Sequence, residues 1–323
     1  MKRLLTLTLK IAISASLLYF ALNRVNLSIV GQRLSEIEVS WLLLAILMLG
    51  TQIIFVALRW RRIVLECEPT SAFLFPQALR YSMIGAFFNQ TLPSTVGGDA
   101  VRIWFLARDG SGWKIATYSV LIDRFAGVIV LALLVVGCLP WSFDLIDNAT
   151  GRLALVAVGI GSVGAGFCFL ALGLMRSTWL ERWWLTGHLI STARIVLQIM
   201  TSPAAIGRIG FYSLFNHLMS VTAAWCLAKS VGISFEWVQA LLLIPPVFMI
   251  ATIPLSIAGW GVRESSMIIA FAYAGLAESD GLIVSVLFGA ATFAVGMLGG
   301  LIWILGAGPR KFMPLAEPSQ NNN

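Results

Sequence analysis

Six ionisable residues sit within or beside apolar sequence: Asp99, Arg102, Asp123, Arg124, Arg263 and Glu264. Two of them close related stretches, TLPSTVGGDAVR (Thr91–Arg102) and TIPLSIAGWGVR (Thr252–Arg263). Thr91/Thr252, Pro93/Pro254, Gly98/Gly259, Val101/Val262 and Arg102/Arg263 match at one offset, and upstream a QAL triplet at Gln77 recurs at Gln239, one residue out of register. Proline removes a backbone donor and glycine permits a sharp turn, so each stretch predicts a break between two helices. An arginine one turn inside a helix that starts there suits an anion such as phosphate. Pairing with Asp123 or Glu264 is the competing role for these arginines. Asp99, after Gly97-Gly98, reads as the N-cap of a helix ending at Gly110, and Trp260 stands in its place in the second copy. Helical neighbours point about 100° apart, so Asp123-Arg124 and Arg263-Glu264 are expected to find partners elsewhere.

Catalysis has little to build on. His188 and His217 are lone histidines, and no metal-ligand spacing, nucleophile elbow or phosphate-binding loop occurs. No catalytic residue, metal site or cofactor is expected. The four cysteines are isolated and form no CxxC pair.

The chain that must position these residues is 59% hydrophobic and 11% charged over 323 residues, with mean hydropathy +0.88. A soluble domain carries roughly a quarter charged residues, so this is a polytopic membrane protein. Spans need about 20 apolar residues, and 4–22, 41–58, 118–139, 153–175, 206–229, 264–278 and 281–305 are the candidates, 264–278 being short. We expect an all-α fold of about seven or eight transmembrane helices, forming one domain over 1–310 with a disordered tail at 311–323. The Pro/Gly-broken segments 72–106 and 235–262 read as re-entrant hairpins. Three spans between them put the two on opposite faces, an inverted repeat with halves 41–175 and 206–305.

Residues 179–200 are amphipathic, with Leu180, Trp183, Trp184, Ile190, Ala193, Leu197 and Met200 on one face. They predict an interfacial helix, with a helix packed against the protein as the alternative. Net charge is +7. The basic residues, Arg59-Arg61-Arg62 among them, read as loop charges that place the N-terminus in the cytoplasm, not as a nucleic-acid surface. Seven spans leave Arg310-Lys311 outside, against the same rule.

NQTLPSTVGGDAVRIWFLARDG, SVLIDRFAG and IPLSIAGWGVRES, in that order, resemble the signatures of the lysylphosphatidylglycerol synthase transmembrane-region family, from about Trp41 to Leu305. The resemblance implies a flippase-like protein of the prokaryotic cytoplasmic membrane that moves a lipid between leaflets. It points to Pro93, Gly97, Gly98, Asp99, Arg102, Arg124, Pro254, Gly259, Gly261, Arg263 and Glu264. The acid before Arg124 is Asp123, where the family more often has Glu. The synthase's soluble aminoacyl-transfer domain has no counterpart in this sequence, so lysyl-lipid synthesis is not expected. The expected partner is a membrane lipid with an anionic or glycosylated headgroup. Two alternatives stay open: an intramembrane lipid-modifying transferase using Asp99 or Asp123 as base, and a non-catalytic membrane subunit for a soluble lipid-modifying enzyme. Oligomeric state is not legible.

Overall fold

The computed structural model describes residues 36–92, 96–146, 148–175, 183–252 and 261–306, the side chains of Trp184 and Leu185 excepted. The predicted span 4–22, the tail 311–323, and Pro93, Pro254 and Gly259 lie outside them. All regular elements among the described residues are helical. In order they are α1 (Val39–Cys67), α2 (Phe75–Thr91), α3 (Gly97–Leu106), a π-helical turn (Ala107–Ser111), α4 (Gly112–Leu145), α5 (Ala149–Leu174), α6 (Trp184–Met200), α7 (Pro203–Ser230), α8 (Trp237–Ala251), α9 (Val262–Tyr273) and α10 (Glu278–Gly306). Four stretches are long and apolar enough to cross a membrane: α1, α4 taken with α3, α5 and α10. The pair α6–α7, bent by 107°, would make a fifth. Leu43, Leu47, Ile160, Phe167 and Leu301 point outward, as lipid-facing side chains must. The protein is a multi-pass membrane protein.

Hydrogen bonds fix the direction of each helix. α1 and α7 run antiparallel. At one end the Glu38 amide donates to the Ser230 carbonyl (2.7 Å), in the middle Ser220 donates to Gln52 (2.7 Å), and further on Arg59 reaches Ser213 (3.1 Å). We name the two ends of the bundle after Val39 and Cys67. α2 enters from the Cys67 end and α3 returns to it. Gly110 (φ 110°) and Gly112 (φ 72°) then turn the chain into α4 with backbone that favours glycine. The second pair mirrors this. Trp237 Nε1 donates to Thr222 (3.1 Å), so α8 enters from the Val39 end, and Tyr273 lies against Gly151 at the same end.

The recurrent QAL has a physical role. Gln77 and Gln239 each occupy the third position of their helix, and each side chain accepts the amide of its N-cap residue, Leu74 (2.8 Å) and Glu236 (2.9 Å).

The last helix ties the two pairs together. Its first half packs antiparallel on α9, where a Cβ at Gly281 would stand 2.7 Å from the Met267 carbonyl oxygen. Its second half packs antiparallel on α2, where a Cβ at Gly299 would come within 1.9 Å of the Met83 oxygen. Small residues let the backbones approach in this way. Arg80 of α2 donates to the last carbonyl, Gly306 (2.9 Å), so α10 ends at the Cys67 end.

Three expectations are corrected. The span 264–278 does not exist. α9 has 12 residues, about 18 Å at ~1.5 Å per residue, and Gly275 (φ 70°) turns the chain before α10 begins. α10 finishes at the Cys67 end, the end of α1 that carries Arg61 and Arg62, while Arg310-Lys311 lie outside the described residues. Arg59, Arg61 and Arg62 are also not loop residues; they lie within α1. Residues 183–200 pack their apolar face on protein: Ile190, Ala193, Val196 and Ile199 are buried, in contact with Ile63, Phe169 and Ile209. Trp183 and Met200 stay exposed.

We expect Gly299→Val to destabilise the protein by about 1–3 kcal/mol, since backbone on both sides must shift. Gly164→Val, which faces open space, should cost far less. Thermal unfolding of both purified variants reads the difference.

Candidate functional site

α3 and α4 form an antiparallel hairpin whose facing residues are the charged ones. Asp123 is 1% exposed and sits between two guanidiniums: Arg59 Nε donates to one oxygen (2.7 Å) and Arg102 Nη2 to the other (2.9 Å). Arg102 also approaches Asp99 (3.5 Å), which accepts a bond from Arg124 Nε (2.6 Å). The result is a continuous chain, Arg59–Asp123–Arg102–Asp99–Arg124, drawn from α1, α3 and α4. Three guanidiniums alternate with two carboxylates. Trp60 stacks on the Arg102 guanidinium at 4.1 Å and is held by its own bond to Ser119 (3.2 Å).

Four members of this chain, Arg59, Asp123, Arg102 and Arg124, line a cavity of about 270 Å³ in the middle of the bundle. Gln52 and Arg59 come to it from α1, Ser82 and Asn89 from α2, Asn216 and His217 from α7, and Thr252 from the end of α8. Three buried polar atoms on its wall lack a hydrogen-bond partner among the described residues: Ser82 Oγ, Asn216 Oδ1 and Arg102 Nε. Leaving such an atom unsatisfied costs about 1–3 kcal/mol, more when charged. Their residues are 5%, 8% and 5% exposed, so bulk solvent does not supply the missing partners. His217 contributes wall, with Nε2 held by the Gly127 carbonyl (2.9 Å).

The glycines of the first motif are packing residues. A Cβ on Gly98 would lie 1.9 Å from the Gly85 oxygen, so its absence lets α3 cross α2 closely, and the Gly98 amide donates to Asn89 (2.8 Å). Gly97 is closed in by Leu92. Asp99 is not an N-cap. Val96 holds that position, and Asp99 is the third residue of α3, its carboxylate turned to Arg124 and Arg102. An acid in the first turn still favours the helix dipole.

The second motif is built otherwise. Gly261 (φ 88°) is the N-cap of α9, and Glu264 at the third position accepts its amide (2.6 Å). Arg263 donates to Glu264 (2.7 Å), so these neighbours do pair, against expectation; in a first turn the long arginine side chain folds back over the helix end. Both reach Ser285 of α10 at 3.0 Å. Arg263 is the second residue of its helix, not one turn inside like Arg102, the sixth. Among the described residues, Arg102, Asp123 and Arg124 line the central cavity, and Arg263 and Glu264 are not part of its wall.

Sequence reasoning missed Arg59, Gln52 and the α7 wall. The signal was present. Ser213, Asn216, His217 and Ser220 recur at spacings of three and four in an otherwise apolar helix, which puts them on one face. Gln52 and Arg59, two turns apart in α1, face them.

The sequence profile of the lysylphosphatidylglycerol synthase transmembrane region matches residues 7–300. The chain belongs to this family. No curated protein matches it. Membership agrees with the order of the motifs along α2–α4 and α8–α9 and indicates a membrane lipid-related role.

Removing Asp123 would leave Arg59 and Arg102 facing each other in a buried site. We expect Asp123→Asn to cost about 3–5 kcal/mol, and Arg59→Gln added to it to recover part of that loss. Thermal unfolding of the single and double variants checks the pairing; a purely additive result would contradict it.

Proposed function

We propose that this protein moves an anionic lipid between the leaflets of the cytoplasmic membrane, holding its headgroup in the cavity walled by Arg59, Arg102 and Arg124. The single observation that carries this reading is the set of unpartnered buried atoms on the wall. Arg102 Nε and Ser82 Oγ can donate and Asn216 Oδ1 can accept, so a phosphate bearing hydroxyls satisfies all three. A cationic aminoacyl headgroup fits worse, because both carboxylates of the charge chain are already taken by guanidiniums.

The helix order supports an inverted repeat. α1–α4 and α7–α10 each run long helix, broken pair, long helix, and α1 opposes α7. The first pair then opens from the Cys67 end and the second from the Val39 end. Among the described residues, Arg61, Arg62, Arg80, Arg108, Lys114 and Arg208 lie at the Cys67 end, beside Glu66, Glu68 and Asp109, whereas the Val39 end carries only Arg152 and Lys229 as bases. By the positive-inside rule the Cys67 end is cytoplasmic. The transferase alternative needs a free base, and neither Asp99 nor Asp123 is free.

Two measurements test this. Single cysteines at Thr70 and Ser234, in a cysteine-free background, should label from opposite sides of the membrane; labelling from one side would end the repeat reading. In vesicles containing the purified protein, fluorescent phosphatidylglycerol should cross faster than in empty vesicles and faster than lysylphosphatidylglycerol. Arg124→Gln and Asn216→Leu should each slow it roughly tenfold, the equivalent of one lost polar contact of about 1.4 kcal/mol. Unchanged rates at normal abundance would remove the cavity from the mechanism.

A further inference from the structure

The polar cavity does not end at its own wall. Val128 of α4 and Thr252, beyond α8, also line a second space of about 330 Å³, set between α4, α5 and α8. This cleft is apolar. Its walls carry Phe125, Ile129, Ala157, Met249 and Ile250, and its one serine, Ser162, turns its hydroxyl to the Val158 carbonyl (2.6 Å). Phe125 and Phe169, stacked at 4.0 Å, line it on the side nearer the Cys67 end, and a further apolar hollow of about 230 Å³ adjoins it past Ile129 and Gly166. Toward the Val39 end Val158 and Ile250 pass into a further apolar hollow of about 120 Å³ between α5 and α8. Gly161 and Gly166 border the cleft, and a Cβ on either would meet nothing within 4 Å.

We propose that the cavity and cleft form one composite site, in which a phospholipid seats its phosphate among the arginines and lays one acyl chain past Thr252 between α4, α5 and α8. The proposal rests on the headgroup reading above and adds the tail path. Continuity decides the occupant. A free anion would use only the polar half, and a loose hydrocarbon would use only the dry half. A lipid uses both, with its polar part at the unpartnered atoms and its chain along the apolar wall. The chain runs toward the Val39 end, where Val158 and Ile250 lead from the cleft into the next apolar hollow. Lipid then enters sideways, through the α4–α5–α8 face and not through either end of the bundle.

The test uses the purified full chain, stripped of lipid, with phosphatidylglycerol carrying a photoactivatable diazirine at the end of one acyl chain. Crosslinks are expected within 154–169 and 242–252. Unlabelled phosphatidylglycerol should remove them, and glycerol phosphate should not. Gly161→Leu with Gly166→Leu fills open space, so folding should survive, as thermal unfolding will verify, while crosslinking falls roughly tenfold. Crosslinks spread evenly over outward-facing helices, or undiminished in the filled variant, would overturn the tail path and leave the headgroup reading standing. Equal labelling by a diacylglycerol probe, or in Arg124→Gln with Asn216→Leu, would show that the headgroup reading had failed and the composite site with it.

Discussion

Asp123 is the point on which the rest of the bundle depends. Its carboxylate lies between Arg59 and Arg102, on two different helices, in a region too buried for water to screen the charges. Each charge at such depth costs ~2.5–3.5 kcal/mol on insertion scales, so the three must stay together or none can stay. That requirement pins α3 to α1 through α4 and fixes the depth of the first broken pair. It also explains two glycines. A Cβ on Gly127 would press on the Arg59 guanidinium, and one on Gly85 would press on the Arg102 stem. The charge chain and the close crossings are one design problem, solved by the same residues.

The two broken pairs share a plan and differ in content. In the first, Arg102 meets an acid 21 residues later, on the following long helix. In the second, Arg263 meets Ser285 at nearly the same separation, and its acid is the adjacent Glu264. The first cluster reaches outward to Arg59 and opens on a cavity, while in the second Glu264 caps α9 and pairs with Arg263 and Ser285.

Much of this was legible in the sequence, for physical reasons. Proline and glycine punctuate the chain whatever surrounds them, so both broken pairs were visible in TLPSTVGGDAVR and TIPLSIAGWGVR. Family membership followed from the same motifs. Arg59 was hidden because three arginines at a helix end carry the signature of topology, and only packing distinguishes the one that faces inward. The Arg263–Glu264 pair was misread because the 100° rule describes Cβ directions, whereas a long arginine in a first turn has freedom to fold back. The span 264–278 was overcounted because hydropathy does not register the turn at Gly275. Which polar atoms end without partners could not be seen at all, since that is a property of the assembled wall.

On the proposed reading, the fold holds the mid-bundle cavity open for a lipid headgroup. The most direct measurement is an experimental structure of the protein in a phosphatidylglycerol bilayer, at a resolution that shows ordered ligands. The account predicts phosphate density within hydrogen-bond reach of Arg102 Nε, with a polar headgroup group at Asn216 and Ser82. A cavity holding only water, with the five-residue chain intact and lipid confined to the outer surface, would contradict it.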